Sequence, residues 1–367
     1  MIIKNRLISL LKFLENRVCG ELVLSRNIKL IEPIAQVLPI LDFGFECRLD
    51  NHSADSGRVD FAVALLKKYG RREIFAGLRN YDSIDCRLFE NEDWRRIRDF
   101  CKIWADKSSL PNKYINQFWL EFDIPDESGG NSIPIPRYFY SLHSKSNLLK
   151  IKNCELIETI ENIQTILTGG KPDKNLTDAI TLFSENLTGG ANLFSFGGLT
   201  NFGNNYGRVS ASNMSADKII ELAEKLYGFS LSAAQIKILT DVQKITGDLY
   251  AAFDIADNPQ KIGVFCLHTK TDSVGCSPVL NNIFCYLSEK KLCSAPKKNN
   301  SLGWNEKIKC PIDNDLIEEN MLFLDRIGKF DLQLFVNKIT HQIKLEFYKN
   351  GEIKTKGYYG FRLFFTQ

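Results

Sequence analysis

Apolar residues follow two rhythms along the chain, first every second position and then every third or fourth, in a fixed order. In residues 249–270, Phe253 and Ile255 alternate with Ala252 and Asp254. A turn at Asp257-Asn258-Pro259 breaks the run, and Ile262, Val264 and Cys266 resume it. The spacing then predicts a helix over 278–293, with Leu280, Ile283, Phe284 and Leu287 on one face. The same order recurs in 191–213, where the turn is rich in Gly and Asn, before a helix over 216–228 that Gly228 closes. It recurs again in 118–143, followed by a helix around 155–167. The first copy, 42–50 and 57–70, is the least regular, because its second strand and its helix run together. The last, 331–337, 341–351 and 352–365, is strand-rich and lacks a following helix.

Five such copies in 367 residues imply about ten antiparallel strands joined by hairpins. A twisted sheet of that length tends to close, which removes its exposed edges. The expected fold is α+β: a ten-stranded antiparallel β-barrel of repeated α-β-β-α units inside a ring of helices. The whole chain, 1–367, reads as one such domain, with repeats at about 1–80, 90–168, 172–230, 231–305 and 315–367. The alternative is a pair of α+β sandwiches divided at Gly169-Gly170-Lys171-Pro172.

Side chains alternate across a strand, so each strand sorts into two faces. Phe43, Phe45, Cys47 and Leu49 oppose Glu46, Arg48 and Asp50. Leu120, Phe122 and Ile124 oppose Trp119, Glu121 and Asp123. Ile343, Leu345 and Phe347 oppose Lys344, Glu346 and Tyr348. Lys354, Lys356, Tyr358 and Arg362 oppose Phe361, Leu363 and Phe365. Helices must bury their apolar faces. If they coat the outside, the lumen collects Glu46, Arg58, Arg208, Lys261, Lys344, Lys356, Tyr348 and Tyr358. That set is too charged for a packed core and suits a reaction chamber. A half-solvated open sheet would show the same alternation.

Composition narrows the class. With 47 Lys+Arg against 44 Asp+Glu and 44% apolar residues, the chain is an ordinary globular one. The near-neutral balance gives no whole-chain argument for nucleic acid. Ten scattered cysteines lack any C-x-x-C pair, so neither a structural metal nor a disulfide framework is expected. No apolar run reaches the length of a membrane span, and charges interrupt the N-terminal stretch where a signal peptide would be apolar. A cytoplasmic location is expected.

Repeated strand-strand-helix units around a polar lumen resemble the ABBA, or PT-barrel, prenyltransferases. The closest local likeness is to the F-type enzymes of cyanobactin pathways, which prenylate ribosomal peptides. It rests on Glu46-Cys47-Arg48-Leu49-Asp50 followed by Arg58 in the first repeat, and on the hairpin at 253–268. The resemblance implies transfer of an isoprenoid from its diphosphate, dimethylallyl or geranyl, to a peptide or small aromatic acceptor. A non-catalytic barrel that binds a peptide or small hydrophobic ligand is the alternative.

Ionising an allylic diphosphate needs cations for the leaving pyrophosphate and a shield for the carbocation. Arg58, Arg208, Lys261, Lys344 and Lys356 are the candidate diphosphate ligands. Tyr348, Tyr358 and Trp119 are the candidate cation shield, with Phe139 and Phe265 as further wall. Glu46 is the candidate base, with an ion pair to Arg48 or Arg58 as its other reading. Asp123 and Asp254 could take that role or hold Mg²⁺ with the diphosphate. No D-D-x-x-D run, P-loop or histidine cluster points elsewhere.

Overall fold

The computed structural model describes residues 6–366, apart from 51–56, 68–69, 79–83, 125–132, 143–152, 189, 199–206, 256–259, 267–276 and 311–332. Two helices, α1 (Leu7–Val18) and α2 (Ser25–Val37), precede the hairpin β1 (Asp42–Arg48) and β2 (Val59–Leu66). Helices α3 (Arg71–Phe75), α4 (Glu92–Ala105) and α5 (Leu110–Tyr114) lead to β3 (Ile115–Phe122) and β4 (Arg137–Leu142). Next come α6 (Asn153–Thr168) and α7 (Lys174–Glu185), then β5 (Asn192–Gly198) and β6 (Gly207–Met214). Helices α8 (Ala216–Tyr227) and α9 (Ala233–Thr246) precede β7 (Leu249–Ile255) and β8 (Lys261–Cys266). The chain ends with α10 (Pro278–Glu289), α11 (Ala295–Leu302), β9 (Glu306–Cys310), β10 (Gln333–Tyr348) and β11 (Ile353–Thr366).

The sheet runs β11-β1-β2-β3-β4-β5-β6-β7-β8-β10, and a β10–β11 pairing closes it into a ten-stranded antiparallel barrel. Strand β9 stands outside that ring, paired with the first half of β10. This is the PT-barrel architecture, with the helices outside. β4 and β5, on either side of the point where two sandwiches would divide, are hydrogen-bonded neighbours. Among the described residues no helix is long and apolar enough to cross a membrane.

Local chemistry explains the helix boundaries. Asn91, Asp173, Ser215, Ser232, Ser277 and Ser294 each cap a helix by accepting a backbone N–H from its first turn. Gly228 closes α8 in the left-handed region at φ 55°. The 278–293 helix stops at Glu289, because the Leu292 N–H turns back to the Leu287 carbonyl.

Two expectations need correction. The two expected strands at 331–337 and 341–351 are, over Gln333–Tyr348, one strand, which a bulge between Thr340 and Gln342 carries through the polar interruption. The five-residue β9 was not expected, since Ile308 and Cys310 are its only buried apolar positions. In the first copy, β2 stays extended through Leu66, where strand and helix had run together in the pattern. The turn at 257–259 and the histidines at 52, 143 and 268 lie outside the described residues.

The core lies between the barrel and its helices. Phe43 stacks on Phe361 with ring centroids 4.4 Å apart, and Phe61 joins Phe43, Phe45 and Phe122 at 5.8–6.1 Å. Trp94 of α4 closes on Phe122 at 6.1 Å. All of these rings are fully or nearly fully buried. Burying each is worth about 1.5–3 kcal/mol, so this layer is where the outer face stabilises the fold.

Candidate functional site

Because the apolar faces point at the helices, the polar strand faces meet inside the barrel. They enclose a cavity of about 750 Å³, within the range of small-molecule sites. Its wall has two chemically distinct zones. Trp119, Phe139, Phe194, Tyr250, Phe265 and Tyr358 all line it as an aromatic belt. Strand pairing sets their order: Trp119 lies opposite Phe139, and Tyr250 opposite Phe265. Phe194 meets Tyr250 edge-on at 5.2 Å, and Phe265 meets Tyr358 at 5.8 Å.

Small residues keep the belt open. Gly197 faces Phe139 across β4 and β5, and a Cβ there would lie 2.1 Å from the ring. Gly263 likewise leaves room for the Lys344 stem, 2.6 Å from where its Cβ would be. A side chain at either position would displace the group that shapes the chamber.

Beyond the belt, toward the C-terminal end of β10, the lumen is a network of charges. Glu346 is completely buried and sits at its centre. Lys261 Nζ lies 2.6 Å from its carboxylate, Arg48 Nη1 3.2 Å and Lys344 Nζ 3.3 Å. The Tyr348 hydroxyl donates to it at 3.3 Å. Burial alone would raise the Glu346 pKa, but Lys344, Lys356 and Lys261 hold it well below the usual carboxylate range. A second centre is Glu46, ion-paired with Lys356, which also lies 3.8 Å from Asp60. Burial opposes ionisation of Glu46, yet Lys356 and Lys344 bring its pKa down to about 2. Burial brings Lys344 down to about 8, against the pull of Glu346.

The candidate residues therefore fall into three positions. Trp119, Tyr358, Arg208 and Glu46 line the cavity itself. Lys344, Lys356, Lys261 and Tyr348 belong to the charge network, with Lys344 lying 5.3 Å from the Phe265 ring centre and Lys261 5.5 Å from that of Tyr348. Arg58 lies just before β2, half-exposed, 3.5 Å from Asp60. The arginine pairings also differ from those weighed for Glu46: Arg48 turns to Glu346 and Arg58 to Asp60.

Asp254 is gripped by Arg208 through Nε at 2.5 Å and Nη2 at 3.2 Å, and Asp123 by Arg137. Among the described residues no group of three or more His, Cys, Asp or Glu side chains is arranged to hold a metal ion.

Two acidic residues were missed. Glu346 shares a face with Lys344 and Tyr348, and that shared parity was the available signal; its cations Arg48 and Lys261 come from other strands. Glu121 shares a face with Trp119 and lines the cavity. Burial, then the charges of Glu46 and Asp60, lift its pKa to about 7, against Arg208 and Arg137. Burial and Glu46 likewise lift Asp60 to about 6.

With ten strands closed around a polar chamber, the fold defines a PT barrel. No family model matches the chain. No curated protein matches it either. Among solved structures it is similar to the crystal structure of AnaPT from Neosartorya fischeri, at 13% identity and a TM-score of 0.47. That match covers 91% of this chain and 86% of AnaPT.

Proposed function

We propose that the chain is a prenyltransferase that moves an isoprenoid from its diphosphate to an acceptor inside the barrel. One observation carries the reading: a barrel lumen in which a belt of six aromatic side chains adjoins a buried cation network. Cations next to π faces are what ionisation of an allylic diphosphate requires. Lys344, Lys356, Arg208 and Lys261 are proposed to receive the diphosphate, with Arg58 at the rim. Trp119, Tyr348 and Tyr358 are proposed to shield the allylic cation. Glu46 pairs with Lys356 and accepts a hydrogen bond from the Tyr358 hydroxyl.

Dimethylallyl or geranyl diphosphate is the proposed donor, with Mg²⁺ as its counter-ion. A ribosomally made peptide, or its aromatic side chain, is the proposed acceptor. We place the protein in the cytoplasm as a single five-repeat domain; its free thiols suit a reducing compartment.

The second reading, a barrel that binds a peptide or small hydrophobic ligand without chemistry, is favoured by one observation. Lys344, Lys356, Arg208 and Lys261 are each paired with a carboxylate of the chain itself. Thermal unfolding with dimethylallyl, geranyl and farnesyl diphosphates, with and without Mg²⁺, separates the two readings. A donor at a hundred times its dissociation constant should stabilise the fold by about 2.7 kcal/mol. A midpoint that none of the three raises would leave the ligand-binding barrel.

A further inference from the structure

On the lumen face, carboxylate after carboxylate is tied to a cation: Glu46 to Lys356, Asp60 to Arg58, Asp123 to Arg137, Asp254 to Arg208, Glu346 to Lys261. Glu121 is the exception: among the described residues it has no ion-pair or hydrogen-bond partner. Its position is also distinctive. It is two residues from Trp119 on the same face of β3, where the aromatic belt meets the charge network, and it borders the cavity. Across the sheet it faces Ala62 of β2 and Arg137 of β4, and Arg137 is committed to Asp123. A carboxylate there is within the chamber, next to the wall that would shelter the cation, and unengaged by the lysines.

We propose that Glu121 takes the proton that the acceptor loses as its bond to the isoprenyl carbon forms. The proposal rests on the prenyl-transfer reading above. In the step, the allylic C–O bond breaks and its electron pair leaves with pyrophosphate. The acceptor's nucleophilic atom supplies the pair for the new bond to the allylic carbon. Its proton moves to the Glu121 carboxylate and returns to solvent through the cavity.

The neighbours give Glu121 a basicity suited to this work. Glu46 of β1 and Asp60 of β2 repel its negative charge, and Arg137 of β4 and Arg208 of β6 attract it, while Tyr358 of β11 faces it as a neutral phenol. The balance, together with burial, leaves it near 7, where a base is half free at neutral pH and its conjugate acid still gives the proton up. Glu46, held near 2 by Lys356, accepts a proton poorly at the same pH. The two carboxylates thus have different work: one fixes a lysine and the other moves a proton.

The test uses the full chain with dimethylallyl and geranyl diphosphates and a panel of Tyr-, Trp-, Ser- and Thr-containing peptides, read by mass spectrometry. Glu121→Gln should lower turnover about a hundredfold or more, with the stabilisation by diphosphate retained as proof of folding and donor binding. Wild-type kcat/KM should fall below about pH 7, from the Glu121 value, and the residual activity of Glu121→Gln should lack that limb. Glu121→Asp should keep the limb at a reduced rate. Turnover in Glu121→Gln within a fewfold of wild type, or the same acidic limb in both, overturns the proposal and leaves prenyl transfer standing. A wild-type protein that transfers to no peptide overturns both.

Discussion

The two faces of the same strands solve opposite problems. On the outer face, Phe43, Phe45, Phe61 and Phe361 pack ring to ring under the helices, with no polar group to satisfy. On the inner face, one residue away in sequence, Glu46 and Asp60 are buried beside Lys356 and around open space. Dispersion and water exclusion stabilise the first arrangement almost regardless of detail. The second holds only while Glu346 and Glu46 keep their cations, since breaking a buried pair leaves an uncompensated charge. A fold that needed only stability would repeat the outer chemistry inside, so the charged lumen points to function.

Substitutions on the two faces sharpen that contrast. Phe61→Ala should lose about 3–5 kcal/mol in denaturant unfolding through the cavity it opens, while the folded protein keeps its affinity for diphosphate. Glu346→Gln should lose a comparable amount, about 3–5 kcal/mol, for a different reason: Lys261, Lys344 and Arg48 would be left without their shared anion. The two separate by pH. The Glu346→Gln loss should shrink above pH 8, where Lys344 gives up its proton, and the Phe61→Ala loss should not. Equal pH dependence of both would contradict the contrast.

A smaller effect tests the inner face as a ligand site. Lys344→Ala removes a cation from the proposed diphosphate cradle, worth about 1.5–3 kcal/mol for a charged hydrogen bond, or a tenfold to hundredfold weaker Kd by thermal titration. Arg58→Ala should change it least, because Arg58 is half-exposed and screened by water.

The smallest effect is a pH slope in stability. Glu121 is raised in the folded state to about 7 from an ordinary 4.5, so the folded form binds more protons between those values. Stability from this group is therefore complete below pH 4.5 and is lost as pH rises through 7. Lys344, lowered to about 8 from 10.5, acts in the opposite direction: stability rises with pH across that window. Melting curves of wild type and Glu121→Gln between pH 4 and 8 should converge at the acid end, relative to their separation at pH 8.

The barrel was legible because strand alternation needs only one residue class on each side. Phe253, Ile255, Ile262 and Val264 announce a hairpin without reference to any partner. The polar face of β10 was legible in the same way, and Lys344 and Tyr348 sit where alternation puts them. Pairings were not legible, since they depend on register between strands far apart in sequence. Glu46 meets Lys356 across some three hundred residues, a distance over which the Arg48 beside it gives no guidance. Glu121 was legible as a polar-face residue beside Trp119, but its role was not, for the complementary reason. Its distinction is the absence of a close partner, and its neighbours Glu46 and Asp60 become neighbours only when the barrel closes. The continuity of β10 escaped because residues 338–340 read as a break between two strands, where the strand runs on and absorbs one extra residue at His341.

The most direct test of the central claim is pyrophosphate release. Purified protein with dimethylallyl diphosphate and an aromatic peptide panel should release pyrophosphate in step with a peptide that gains one isoprenyl mass. Folded protein that binds the diphosphate yet releases no pyrophosphate with any donor or peptide would contradict the account and leave the barrel a binding module.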